Sequence, residues 1–452
     1  MRRWKSLACA LVTGLVTVPL SAQQFVPPKT DSTPKAPFAF ADFTWLNGNS
    51  RQTSSVLDSK YFTGEFRLDA SYIYDFNQPS DHTLVGTSES GRTQEVQVQQ
   101  LGIGGDFHAG HAHARLMTQF GLYSTMTPRN DASPARGQWN LADAYRYLSE
   151  AYGGFHIDHW NGVNVEAGIF MSYVGLFSYY NYDNWAYQPS YVSSNTPWFF
   201  NGIRIQIFPS DKLKIEPWIV NGWQSYGMFN SAPGLGWQVL WRPNGTFSVL
   251  SNEYYGHDWL GLPKRWRMHS DNSLQIKYRD VPGAAIDKAA FSLTVDLGCE
   301  SGGGVRCEGR GPGGPAQNFA GFMLYNRLWF GHDRYAVTLG GGAMTNPGRY
   351  LVLMPPINGA TAYSGTPYFT ENPGDQFGAW DLSATFDYMP DEFATLRVEL
   401  DHRSASVPYF AGAGGVTPSG GDQGSPGSVV AGFQPDLRRS ETRINAAILI
   451  KL

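Results

Sequence analysis

The sequence predicts an all-β chain that closes into a transmembrane, antiparallel, up-and-down β-barrel of about sixteen strands. Three observations predict it. Apolar and polar residues alternate with period two from about residue 60 to the last residue, the pattern of strands with one oily face. The connections between these segments alternate between short and long. Charged residues make up 16% of the chain, against the ~25% usual for soluble domains. No stretch after the first twenty residues approaches the ~20 apolar residues of a spanning helix, so a membrane role requires a barrel.

Residues 1–22 read as a secretory signal peptide. Arg2, Arg3 and Lys5 form a basic start, LACALVTGLVTVPL is an apolar run, and Leu20-Ser21-Ala22 is a small-residue cleavage site. Loss of those three cations leaves 34 − 3 = 31 basic residues against 38 acidic ones, a net charge of −7. That balance argues against a nucleic-acid partner. Residues 23–59 begin with the proline-rich tether QQFVPPKTDSTPKAP. FAFADFTWLNGN then reads either as a short strand or as a plug-like element.

From residue 60 to 452 the strands follow in order. In YFTGEFRLDASYIYDF, Phe66, Leu68, Ala70, Tyr72 and Tyr74 share one face, with Glu65, Arg67, Asp69, Ser71 and Asp75 on the other. TQEVQVQQLGIGG changes face near Gln99-Gln100, the mark of a bulge. RIQIFPSDKLKIEPWIV (204–220) is a hairpin with Ile205, Ile207, Leu213, Ile215 and Ile219 on the oily face. Its other face carries Arg204, Lys214 and Glu216. SLQIKYRD alternates around Lys277 and Arg279, and WDLSATFDY around Asp381 and Asp387. TLRVELDHR alternates around Arg397, Glu399, Asp401 and Arg403, and RINAAILIKL closes the series.

Short connections fall at 160–162, 209–212, 243–245, 331–334 and 390–392. Long ones fall near 77–92, 125–149, 177–197, 300–317, 349–375 and 406–440. This asymmetry matches outer-membrane barrels, with short periplasmic turns and long external loops. A closed barrel satisfies every backbone amide in a bilayer, so the oily faces are expected to meet outer-membrane lipid. The charged faces then line a lumen, with Glu65, Arg67, Asp69, Glu166, Arg204, Lys214, Glu216, Lys277, Arg279, Arg397, Glu399, Asp401 and Arg403 as pore-lining candidates. Their mixed signs suit pairing across neighbouring strands better than a transverse field. The small acidic excess permits a weak cation preference.

The block NYDNWAYQPSYVSSNTPWFFNGIRIQIFPSDKLKIEPWIVNGWQ resembles the OmpL-like β-barrel porin family of Gram-negative bacteria. The shared pattern is a glycine-rich strand (VEAGIF), a loop rich in Tyr and Asn, and a hairpin closing on Asn221-Gly222-Trp223. The resemblance implies an outer-membrane barrel with a pore and supplies no substrate.

The 177–197 connection carries Tyr179, Tyr180, Tyr182, Trp185, Tyr187 and Tyr191 with few charges. It reads either as an aromatic belt with a packed external loop or as a constriction loop folded inward. In the second case its hydroxyls would pair with Glu166 and Arg204 while its rings line the passage. Cys299 and Cys307, in GCESGGGVRCEG, read as an external-loop disulfide in an exported chain. His108, His111 and His113 form a histidine-rich turn that lacks the carboxylates or thiols of a metal site. No nucleophile elbow, HExxH, P-loop or dinucleotide fingerprint is present, so neither cofactor nor covalent chemistry is expected.

The function expected is passive diffusion of small hydrophilic solutes, sugars among them, across a Gram-negative outer membrane. The barrel-insertion machinery is an expected partner. A homotrimer is compatible with the strand number, although no interface signal stands out. Two rival readings are a structural or adhesive barrel without an open pore, and a barrel-borne lipid hydrolase. The latter needs Ser, His and an acid on the outer face, whereas His402 and Ser404 lie beside lumen-side charges in the sequence.

Overall fold

The computed structural model describes residues 36–452 except 88–89, 313, 349, 351–375 and 419–431. The expected signal peptide and most of the tether lie outside the described residues, as do nearly all of the 349–375 connection and part of the 406–440 one.

Sixteen strands form one closed antiparallel barrel. The first half comprises β1 (Phe62–Asp75), β2 (Val96–Ala109), β3 (Ala112–Thr118), β4 (Leu148–Ile157), β5 (Val163–Met171), β6 (Phe199–Ser210), β7 (Leu213–Val220) and β8 (Gly234–Asn244). Next come β9 (Phe247–Gly256), β10 (Trp266–Asp280), β11 (Lys288–Ser301), β12 (Asn318–Phe330), β13 (Tyr335–Asn346), β14 (Phe377–Tyr388) and β15 (Ala394–Ala405). Two short strands, β16 (Phe410–Ala411) and β17 (Leu437–Arg438), pair in a separate ribbon within the last long connection. The last strand, β18 (Ser440–Lys451), pairs with both β15 and β1, in register from Arg67 opposite Lys451 to Asp75 opposite Arg443. Closure leaves no unpaired edge among these strands. No helix among the described residues is long and apolar enough to cross a membrane.

Alternation sorts side chains as the period-two rule requires. Ile203, Ile215, Ile219, Trp237, Leu339, Leu382, Val398, Leu400 and Ile448 point outward and are exposed, while Arg67, Asp69, Glu216, Asp381, Arg397 and Arg403 point inward and are buried. The oily face of the 204–220 hairpin is therefore the outer one. The bulge falls where the sequence changes face: Asp69 pairs with Gln100 and Ala70 with Val98, which leaves Gln99 unopposed and both glutamines buried inside. One inward candidate is displaced. The register shifts between Lys277 and Arg279, so Arg279 leaves the inward row, is exposed, and donates to the Ile286 carbonyl in the β10–β11 turn. Arg279 is not a lumen-lining residue.

The barrel contains its own apolar core. Phe43, Trp45 and Leu46 come from the segment before β1, and Leu176, Phe177, Trp185, Tyr191 and Val192 from the β5–β6 connection. The wall contributes Tyr325 and Trp329 beside small Ala290, Ala336, Ala379 and Ala405, which leave room for the incoming chain. Two glycines of β13 do the same: a Cβ on Gly340 would lie 2.0 Å from the Tyr325 ring, and one on Gly342 2.4 Å from Ser190 Oγ.

Residues 36–57 form no strand. They cross the short-turn end of the barrel as a strap. Phe38 N–H donates to the Asp211 carbonyl (2.8 Å) in the β6–β7 turn. Trp45 Nε1 donates to Gly245 (3.0 Å) in the β8–β9 turn. Arg51 reaches the carbonyls of Asp391 and Ala394 between β14 and β15.

Cys299 and Cys307 are joined, with Cα atoms 5.1 Å apart. Cys299 belongs to β11 itself, so the bridge ties the strand end to the following loop.

Candidate functional site

The β5–β6 connection, residues 172–198, is the centre of the site. It enters the barrel and reaches the strap: Gly48 N–H donates to the Asp183 carbonyl (3.1 Å), and Trp185 Nε1 to the Trp45 carbonyl (3.1 Å). Every residue from Tyr179 to Phe200 is buried.

The charges of β15 explain how a loop with few charges of its own is held there. Arg397 donates to three loop carbonyls, those of Asn181 (3.1 Å), Asn184 (2.6 Å) and Ala186 (3.0 Å). Glu399 accepts from the amides of Tyr187 (2.6 Å) and Gln188 (2.8 Å). Arg403 donates to the Pro189 carbonyl (2.6 Å). Alternating sign along one strand thus meets alternating carbonyl and amide along the loop. On β14, Asp381 accepts from Ser190 Oγ (2.7 Å) and Tyr191 N–H (2.9 Å). On β1, Asp69 accepts from Asn181 (2.8 Å) and the Tyr187 hydroxyl (3.0 Å), and Arg67 pairs with Asp183 (3.0 Å). Such charge-assisted bonds are the stronger kind.

The remaining candidates sit in local pairs. Glu65 meets Arg67 and Arg115. Glu166 meets Arg204 and His113, and Glu216 meets Lys214 (3.0 Å). Lys277 pairs with Asp280 (2.6 Å) near the Trp45 ring. Glu166 and Arg204 therefore bind each other across β5 and β6 rather than the loop's 181–191 stretch, which leans on the opposite wall, β12 to β1; the start of the loop stays on the near wall, where the Tyr173 hydroxyl donates to the Glu253 carbonyl (2.9 Å). Asp401 pairs with Arg403 and Arg443.

The six loop rings are packed, not displayed. The Tyr179 hydroxyl donates to Gln119 (2.6 Å) and that of Tyr180 to Glu150 (2.8 Å), while Tyr182 bonds the Glu392 carbonyl. Trp185 stands edge-on to Trp329, and Tyr191 lies under Arg403 beside Phe410. The expectation that these rings line an open passage is corrected: burying them against strap and wall removes more apolar surface from water than exposing them would.

Space remains along the other wall. A cavity of about 240 Å³ is bounded by the strap, the loop and the inward faces of β8 to β10, including Gln238, Leu240, Arg242, Ser248 and Gln275. A second, of about 350 Å³, lies toward the short turns between Phe38, His156, Asn164, Gln206, Phe208 and Lys214. Leu240 borders both.

Residues absent from the pore-lining candidates include Asp381 and Asp387, placed on a polar strand face by the sequence, Arg327 and Arg443, all four on inward faces, and Arg242. Position on the polar face was the signal for the first four. Arg242, beside Pro243-Asn244-Gly245, was hidden by its turn context. His402 and Ser404 are corrected in the opposite sense: both face outward, and His402 Nδ1 bonds Thr442 Oγ1 (2.8 Å). No set of three metal-ligating side chains occurs among the described residues.

Residues 62–425 match the model of the family described as "Putative beta-barrel porin-2, OmpL-like". The chain belongs to this OmpL-like porin family. Among curated proteins there is no significant match. Similar solved structures include Pseudomonas putida OprB, 12% identical, covering 86% of this chain and 94% of that one at a TM-score of 0.49. An anion-selective porin from Comamonas acidovorans is 11% identical, covering 86% and 99% at 0.48. The outer membrane channel DcaP of Acinetobacter baumannii is 10% identical, covering 89% and 100% at 0.46. Family membership rests on the family model and the barrel itself, not on these remote likenesses.

Proposed function

We propose that this porin-like barrel is a passive channel for small hydrophilic solutes in a Gram-negative outer membrane, delivered there by the 1–22 signal segment and the barrel-insertion machinery. The observation that carries the reading is the inward loop. A sixteen-stranded barrel encloses an aqueous lumen too wide to sieve small solutes by its wall alone, and residues 172–198 fill much of it, most of them against β12 to β1 and the first few against β7 to β9. Solutes then pass along β5 to β10, where the two cavities lie, and the loop sets the size limit. Neutral sugars and small ions are within this reading. No covalent step is assigned to any residue. Purified protein in planar bilayers should give discrete single-channel steps. Failure of a folded, inserted barrel to conduct would favour the structural or adhesive reading.

Self-association is part of the same proposal. Ser251, Glu253, Ser270 and Asn272 face outward from β9 and β10 and bond one another: Ser251 to Asn272 (2.6 Å), Ser270 to Glu253 (2.8 Å), Asn272 to Ser270 (2.8 Å). Polar groups facing lipid are costly, and a neighbouring copy would cover this island. The double variant Glu253→Leu, Asn272→Leu should then dissociate a native oligomer on unheated gels, and an unchanged oligomer would place the contact elsewhere.

A further inference from the structure

Inside the barrel, the wall arginines are paired with acids. Arg67, Arg204, Arg267, Arg397, Arg403 and Arg443 each meet a carboxylate. Arg242, inward on β8, does not: no carboxylate among the described residues forms an ion pair with it, and its Nε has no acceptor. Phe38 and Phe43 cover the guanidinium at 5.1 and 4.8 Å. Ring faces stabilise a cation but accept none of the five N–H bonds a guanidinium offers. Arg242 borders the 240 Å³ cavity together with Asn47, whose buried amide nitrogen also lacks an acceptor. At about 30 Å³ per water molecule, the cavity holds about eight water-sized groups. Tyr173 and Trp198 add aromatic walls.

We propose that this cavity binds a small monocarboxylate with a flat apolar body, its carboxylate on Arg242 and the Asn47 amide, its body among the rings. A carboxylate matches the planar donor fork of arginine, and the rings suit an organic body better than a bare inorganic anion. Net chain charge is a poor guide here, because Glu166 and Glu216 on this wall are already paired with Arg204 and Lys214, whereas Arg242 meets no carboxylate among the described residues. That the site lies on a transport route rests on the channel reading; that it binds does not.

The test is isothermal titration calorimetry on the full-length protein in detergent, with benzoate and its neutral isostere benzamide at matched ionic strength. This readout needs no open pore, so a negative result leaves the channel reading standing, and a non-conducting barrel that binds benzoate overturns only the channel. Wild type should bind benzoate at least about tenfold more tightly than benzamide, one charge-assisted bond being worth about that factor. R242Q should lose that preference. N47D, which puts a carboxylate into the same cavity and keeps Arg242, should lose it too. Folding of each variant is checked by heat-dependent gel mobility. Equal binding of benzoate and benzamide by wild type, or unchanged benzoate binding by either folded variant, overturns the proposal.

Discussion

Replacing Arg397 with Met removes the donor that holds three loop carbonyls while keeping most of the side chain's length. Hydrogen bonds to charged groups contribute about 1.5–3 kcal/mol each, so the three bonds at the low end amount to about 4–5 kcal/mol. Water entering the vacated space restores part of this, and Asp387, the ion-pair partner of Arg397, keeps Arg327 at 2.7 Å. Halving the sum leaves about 2 kcal/mol, roughly a thirtyfold rise in the population of loop segments that open locally. Glu399, Asp381 and Arg403 still hold the following residues, so the loop loosens around 181–187 instead of leaving the barrel. Ala186 is fully buried in that stretch. A cysteine there reports opening through its rate of reaction with a hydrophilic maleimide, with Cys299 and Cys307 already bridged. A186C should label about thirty times faster in the R397M background than beside Arg397. Equal rates in two correctly folded proteins would show that Arg397 does not anchor the loop.

Two further outcomes follow. Glu392, at the short-turn end, accepts from the Ser54 hydroxyl (2.6 Å) and from the amide (2.6 Å) and hydroxyl (2.8 Å) of Thr53. These bonds, that of Ser54 first, lower its pKa from 4.5 to about 2; the attachment is therefore fully present above pH 4.5 and lost as pH falls through about 2. Pepsin should cut the strap of wild type faster at pH 2 than at pH 4.5 relative to a reference peptide, and cut that of E392Q readily at both; a wild-type strap equally resistant at both values would refute the attachment. The Cys299–Cys307 bridge closes a loop of eight-residue separation, for which the entropic contribution is about 2–3 kcal/mol. C299S/C307S should therefore still insert as a heat-modifiable barrel, and loss of insertion would contradict a merely local role.

The barrel was legible because its pattern is local. Parity alone places Arg397, Glu399, Asp401 and Arg403 inside and Leu396, Val398 and Leu400 outside, and a one-residue slip would reverse the set. What those charges hold was not legible, since Arg397 and the Asn181 carbonyl are joined only by the closed fold. Mixed sign on one strand suited cross-strand pairing equally well. FAFADFTWLNGN resisted assignment for a related reason: a segment shaped by the mouth it crosses, with Trp45 on the Gly245 carbonyl, needs no period of its own. Arg279 failed because a single bulge resets parity downstream. The loop rings failed because their partners come from far along the chain: Gln119 from the β3–β4 connection, Glu150 from β4 and Trp45 from the strap.

The most direct measurement of the central claim is single-channel conductance of wild type beside a variant lacking residues 181–190, both shown to be folded and inserted. An inward loop that narrows a conducting barrel predicts small, discrete steps for wild type. The deletion should conduct at least about twofold more, since an unfilled barrel of this strand number leaves a wide aqueous lumen. Equal conductance in the two proteins, or silence in both, would contradict it.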